Sequence, residues 1–141
     1  AVSPDGKQLA YISDRTGKPQ IYLMDLGSKK VSRLTQQGAY NTSPAWSPDG
    51  SFIAFSARRS GGTAIFRINV ATGAESQVTP FDIEAEDPTW SPDGSMIAFT
   101  GIEGMASKIY YSLSSGGDYQ RLTTSGAGVY ESKPAWGGFL R

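Results

Sequence analysis

Histidine and cysteine are both absent from this sequence. The commonest general base and the thiol nucleophile are therefore missing, and a Ser-His-Asp triad cannot be built. Chemistry is left to carboxylates, hydroxyls, amides and cations. Glu84, Glu86, Asp87 and Glu131 could supply oxygen ligands to Ca²⁺, although no loop spacing dictates coordination. Carboxylate-pair chemistry from Asp87 and Glu131 is formally open, but nothing in the sequence fixes their separation. A binding surface is the better use of these residue types, since Tyr is a rigid amphipathic contact favoured in interface hot spots. The candidates are Tyr40, Asn41, Thr42, Glu84, Glu86, Asp87, Tyr130, Glu131 and Lys133, with solvated loop residues as the plainer alternative. Arg58-Arg59 offers a cation pair to an acidic partner, or is simply a solvated hairpin tip. The expectation is a protein-binding module and not an enzyme.

These residues hang on a repeat. Ser-Pro-Asp-Gly occurs at 3–6, 47–50 and 91–94, two steps of 44 residues. Pro-x-Trp occurs at Pro44-Ala45-Trp46, Pro88-Thr89-Trp90 and Pro134-Ala135-Trp136. Ile21-Tyr22, Ile65-Phe66 and Ile109-Tyr110 keep the same step, as do Leu34-Thr35, Val78-Thr79 and Leu122-Thr123. A period of roughly 40–45 residues is that of four-stranded propeller blades. The predicted fold is all-β, a β-propeller segment over 1–141 with repeats at about 1–41, 42–85 and 86–129 and a spare innermost strand at 130–136.

In the middle unit, strands A to D are predicted near 43–46, 52–56, 64–70 and 75–79. The first unit has B to D at 8–12, 20–26 and 30–35, with its strand A missing; the third has A to D at 88–90, 96–100, 108–113 and 119–123. No segment shows a sustained helical period. Ser-Pro-Asp-Gly reads as a turn, not a nucleophile motif: Pro sets φ, Asp bonds its own backbone and Gly accepts positive φ. Trp46, Trp90 and Trp136, at a repeated position, read as packing residues and not as ligand-stacking ones. The D-to-A connections at 38–43, 81–87 and 126–133, with the B-to-C hairpins, are longer and less repetitive than the other turns. Variable loops on a rigid scaffold are where binding resides.

Lys plus Arg and Asp plus Glu number 13 each, so the formal net charge is zero. That gives no footprint for nucleic acid or an anionic membrane. No stretch approaches the roughly 20 apolar residues of a spanning helix. Without cysteine the sequence is silent on redox compartment. Residue 1 is Ala, as expected of a processed or trimmed chain.

Three blades fall short of the four or more that propellers typically need. Four strands about 4.8 Å apart and roughly 17 Å long give a blade face of about 330 Å². Leaving one uncovered forfeits on the order of 8 kcal/mol, comparable to a domain's whole stability. Two solutions are open: a head-to-tail homodimer closing a six-bladed ring, or further blades upstream. Either way the segment is expected to be half of a six-bladed propeller.

The repeat resembles the TolB family of the periplasmic Tol–Pal system, in the C-terminal half of its propeller. The generic signature, Pro-x-Trp-Ser-Pro-Asp-Gly before an Ile-Ala-Phe strand, is shared by many bacterial propellers. More telling are Gly104-Met105-Ala106-Ser107, similar to a Gly-Met-Gly-Ser of the family's final blade, and Tyr40-Asn41-Thr42-Ser43-Pro44-Ala45-Trp46. The ending Lys133-Pro134-Ala135-Trp136-Gly137-Gly138-Phe139-Leu140 resembles the family's Pro-Ala-Trp-Ser-Pro terminus, departing from it at Gly137-Gly138. The resemblance does not extend to the N-terminal domain, which carries TolA contact. It implies a non-enzymatic periplasmic protein that binds the peptidoglycan-associated lipoprotein Pal at its channel mouth, in some members with Ca²⁺ in the channel. Two alternatives stay open: the gating propeller of a prolyl-oligopeptidase-like peptidase, and a self-assembling repeat without a specific ligand.

Overall fold

Alternation of apolar and polar residues between Gly- and Pro-rich turns produces eleven short strands, β1 to β11, and they assemble as three antiparallel sheets. The computed structural model describes residues 1–124, 126 and 128–137. The first blade is β1 (Gln8–Ser13), β2 (Gln20–Asp25) and β3 (Val31–Arg33). The second is β4 (Tyr40–Trp46), β5 (Phe52–Arg59), β6 (Gly62–Asn69) and β7 (Glu75–Gln77). The third is β8 (Glu84–Trp90), β9 (Met96–Glu103), β10 (Ala106–Leu113) and β11 (Tyr119–Arg121). Each four-stranded sheet runs in simple sequence order, the arrangement of a propeller blade. The chain is a partial β-propeller, as the repeat predicts.

Several boundaries differ from the sequence reading. The B-to-C hairpins are tighter than predicted, because Arg58 pairs with Thr63 and Arg59 with Gly62, leaving Ser60-Gly61 as a two-residue turn. Arg58 and Arg59 therefore lie in a strand and not on a hairpin tip. The outer strands are three residues long, because the Thr two residues past each one turns its hydroxyl to strand C. Thr35, Thr79 and Thr123 accept from the backbone N–H of Ile21, Ile65 and Ile109 at 3.0, 2.9 and 3.0 Å. That bond explains the repeated apolar-Thr pair.

Strand A of the first unit is not wholly missing: Val2 bridges Leu9, and Ala1 exchanges hydrogen bonds with Ala10. The spare strand at 130–136 makes one bridge, Tyr130 to Ser107, and no ladder, since no B strand lies beside it among the described residues. Gly138, Phe139 and Leu140 of the terminal resemblance lie outside the described residues, as does Ala127 of the last connection.

The blades stack through two apolar layers. Ala10, Ile21 and Leu23 meet Ile53, Phe55 and Ile68 between the first and second. Ala54, Ile65 and Val78 meet Ala85, Trp90, Ile97 and Phe99 between the second and third. Small residues opposite large ones let the faces interdigitate. The tryptophans fasten this stacking. The indole N–H groups of Trp46, Trp90 and Trp136 donate to the carbonyls of Ala1, Ala45 and Thr89, each in the preceding unit, at 3.1, 2.9 and 3.2 Å.

The Ser-Pro-Asp-Gly turns carry their own network. Asp49 accepts from Ser47 Oγ and Ser51 Oγ, both at 2.7 Å, and from the Ser51 amide at 3.0 Å. Asp93 repeats this with Ser91 and Ser95, and Gly50 and Gly94 both take φ of 76°. Donation by the following serine's amide, then the serine hydroxyls, holds both carboxyls down to about 2 from 3.8.

A Cβ on Gly101 would sit 2.5 Å from Tyr110 Cδ2 and 2.6 Å from Ile83 Cδ1. Gly101→Ala should therefore cost about 1–3 kcal/mol in urea unfolding, although the matching position in the second blade is Ala57. A depressed carboxyl favours the folded state above its unfolded value and loses that contribution on protonation. Stability should then fall as pH drops from 3.8 towards about 2, and the Asp49→Asn/Asp93→Asn double variant should show a shallower fall in denaturation midpoint.

Candidate functional site

The innermost strands place the candidate residues in a regular array. Repeat positions align Tyr40 with Glu84 and Tyr130, Asn41 with Ala85 and Glu131, Thr42 with Glu86 and Ser132, and Ser43 with Asp87 and Lys133. Strand pairing slips between Thr42 and Ala45 and again between Glu86 and Thr89, so Ser43-Pro44 and Asp87-Pro88 are bulges. Proline suits a bulge because it has no N–H to place in the ladder. The residue before it takes an unusual shape: Ser43, Asp87 and Lys133 have φ of 54°, 52° and 52°. Left-handed backbone before proline is disfavoured, so three repeats carry the same local strain. Surrounding bonds hold it. Ser43 Oγ donates to Asp87 Oδ1 at 3.1 Å, the Asp87 amide to Ser56 Oγ at 3.2 Å, and the Lys133 amide to Thr100 Oγ1 at 2.9 Å.

The nine candidates divide by depth. Asn41 is fully buried. Its amide donates to Gln20 Oε1 at 2.7 Å and to the Gln37 carbonyl at 2.9 Å, and its oxygen accepts from Arg59 at 3.1 Å. Glu131, at the same repeat position, pairs at 3.5 Å with the Lys108 ammonium, only 2% exposed. Lys108 also donates to the carbonyls of Gly126 and Val129 at 3.0 and 2.9 Å. Asn41 and Glu131 therefore anchor loops from beneath. Between them in the repeat, the corresponding pair is Ala64 and Ala85, both fully buried. Glu84, Tyr130 and Lys133 are exposed, with Tyr130 at 68%, while Tyr40, Thr42, Glu86 and Asp87 are half-buried.

The structure brings Tyr40, Thr42 and Glu86 together in a recess of about 200 Å³ between the second and third blades. Its other lining residues, Ser43, Ser56, Arg58 and Thr63, are not among the nine candidates. The signal for them is strand register. Tyr40, Arg58 and Thr63 form one cross-strand row, and Thr42 and Ser56 sit two residues along on the same face. The four acidic candidates do not converge: among the described residues no three carboxylates could hold a metal ion. Asp87 accepts from Ser43 and Glu131 pairs with Lys108 instead.

The two arginines at 58 and 59 have different surroundings. Arg59 lies over the Phe66 ring at 4.9 Å and reaches Glu75 at 3.5 Å. Its guanidinium also packs where a Cβ on Gly38 would fall. Burial raises the Glu75 carboxyl, an effect that Arg59 opposes. Arg58 instead stacks over Tyr40 at 4.6 Å, with Lys18 5.2 Å from the same ring.

Antiparallel sheets of four strands in simple sequence order, stacked face to face, define the class as a β-propeller, present here in part. The chain belongs to the TolB beta propeller domain family, whose model matches residues 1–86. Among solved structures, it is similar to TolB from Acinetobacter baumannii at 32% identity and a TM-score of 0.75, covering 89% of this chain and 32% of that one. A TolB candidate from Agrobacterium tumefaciens superposes with a TM-score of 0.78 at 28% identity, covering 85% and 46%. A prolyl endopeptidase matches at 23% identity and a TM-score of 0.68 over 93% and 22%, a likeness of fold alone. The chain spans less than half the length of either TolB structure. No curated protein matches it significantly.

Lys108→Ala should destabilise the protein by about 2–3 kcal/mol, because two carbonyls and a carboxylate lose their cation. Adding Glu131→Ala, which recreates the Ala64–Ala85 pairing, should recover part of that loss in a double-mutant cycle read by urea unfolding.

Proposed function

We propose that this segment belongs to a periplasmic, non-enzymatic propeller of the Tol–Pal cell-envelope system, whose loop end binds a Pal-like lipoprotein. The observation that carries this reading is the gathering of Tyr40, Thr42, Glu86 and Asp87 along the inner edges of adjacent blades, at the end where the repeats differ most. Rigid aromatic and hydrogen-bonding groups on a strained, internally braced backbone favour recognition of a surface. The higher identity to TolB structures than to the peptidase favours this reading over a peptidase's gating propeller. The lack of His and Cys agrees with a binding role.

The outer blade faces bear on assembly. Val2 and Val31 on the first blade and Leu113 and Leu122 on the third are exposed apolar residues. A second copy or further blades of a longer chain would cover them, and both remain part of the proposal. Light scattering on the 15.0 kDa chain separates them: twice that mass supports a homodimer, whereas a monomer assigns the cover to further blades.

Calorimetric titration of the full chain with the soluble domain of its organism's peptidoglycan-associated lipoprotein tests the function. Saturable binding is expected, weakened about tenfold or more by Tyr40→Ala, in line with hot-spot losses of ~2 kcal/mol. Lys30→Ala, at the opposite end of the blades, should leave it unchanged. Absence of binding by the folded protein would overturn the lipoprotein assignment.

A further inference from the structure

The recess between the second and third blades carries a cation with no ionic partner. Arg58 is exposed, and among the described residues no carboxylate lies within ion-pair distance of it. Yet it is not free to wander. Its guanidinium carbon lies over the ring of Tyr40, its neighbour across the β4–β5 ladder, at 4.6 Å from the centroid. Stacking on an aromatic face removes much of the side-chain freedom that binding would otherwise have to freeze. Lys18 approaches the same ring and adds positive charge to that rim.

The rest of the recess offers hydroxyls and one acid. Thr42 and Thr63 line it, and their hydroxyls have no hydrogen-bond partner among the described residues. Ser56 and Ser43 are engaged by Asp87 and help to fix the wall. Glu86 lines it from the third blade. A bare inorganic anion would meet Arg58 and Glu86 together and be opposed by the latter. An extended peptide satisfies both, presenting a carboxylate to Arg58 and N–H donors to Glu86. The repeat does not explain this arrangement. Asp14 and Ile102 occupy the arginine's position in the other two units, while Pro19 and Ser107 occupy that of Thr63. The site belongs to one junction, that of the second and third blades.

We propose that this recess binds an Asp or Glu side chain of an extended partner segment, held by Arg58 over Tyr40 with Thr42, Thr63 and Glu86 fixing its backbone. The inference rests on the loop end being the protein-binding end, and adds which chemistry is read there.

The test is a nuclear magnetic resonance titration of the full chain with the capped peptide acetyl-Gly-Glu-Gly-amide, and with its Gln counterpart. Saturable shifts are expected at the Arg58 Nε–H and at the amides of Thr42 and Thr63 with the Glu peptide, and at least fivefold weaker binding with the Gln peptide. Arg58→Gln should abolish the response, Arg58→Lys should weaken it at least fivefold, and Glu86→Gln should weaken binding of the Glu peptide while leaving acetate binding unchanged or stronger. Equal responses to both peptides, or shifts spread over all cations without Arg58, would overturn the site.

The whole lipoprotein supplies the second arm. Peptide binding at Arg58 without lipoprotein binding would sink the partner assignment and leave the site standing. Lipoprotein binding that is equal for wild type and Arg58→Gln, with Arg58 unmoved by the peptide, would do the reverse.

Discussion

Each blade leans on the one before it through a single repeated contact, the indole N–H of a Pro-x-Trp tryptophan donating to the strand-A carbonyl one unit earlier. Apolar stacking supplies most of the energy, but it is non-directional and tolerates sliding. The indole bond is directional, even though a typical one adds only about 0.5–1.5 kcal/mol net and only that of Trp90 is partly buried. It therefore fixes the rotation and height of one sheet against the next. The spacing of the inner strands follows from that angle, and with it the approach of Ser43 to Asp87. The recess exists because two blades meet at that angle.

The two ends of the sheets serve different purposes. At one end, identical Ser-Pro-Asp-Gly turns close on themselves through ionised Asp49 and Asp93. At the other, buried polar side chains such as Lys108 and Gln20 tie down loops that differ from blade to blade, with Gln20 donating to the Gly38 carbonyl at 2.8 Å. Paying the desolvation cost beneath the loops leaves their upper surfaces to vary.

The fold was legible because its signals are local and repeated. A 44-residue period, turn tetrapeptides and alternating strands each say the same thing, and consistency across levels is what specifies a structure. The candidate site was legible only in part. Tyr40, Thr42, Glu86 and Asp87 stand out as polar and aromatic residues in a variable stretch. Asn41 and Glu131 share that stretch, yet their side chains turn back onto Gln20 and Lys108. Arg58 joins the recess through cross-strand register with Tyr40, eighteen positions away, which no local pattern displays. Arg59 beside it points to the other face, so two adjacent cations that look alike in sequence do unlike things.

The buried pairs that link successive units have a consequence for the repeat itself. Gln20 meets Asn41, Ala64 corresponds to Ala85, and Lys108 meets Glu131: one amide pair, one apolar pair and one ionic pair in the same slot. Each junction thus carries its own lock and key. Moving the third blade to the second blade's place would set an ammonium against Asn41 or Ala85, and the reverse exchange would strand a carboxylate. Blades that share a fold and a turn motif are not interchangeable parts. Their order along the chain is written into the chemistry of their contacts, which guards against a blade docking on the wrong neighbour as the chain folds.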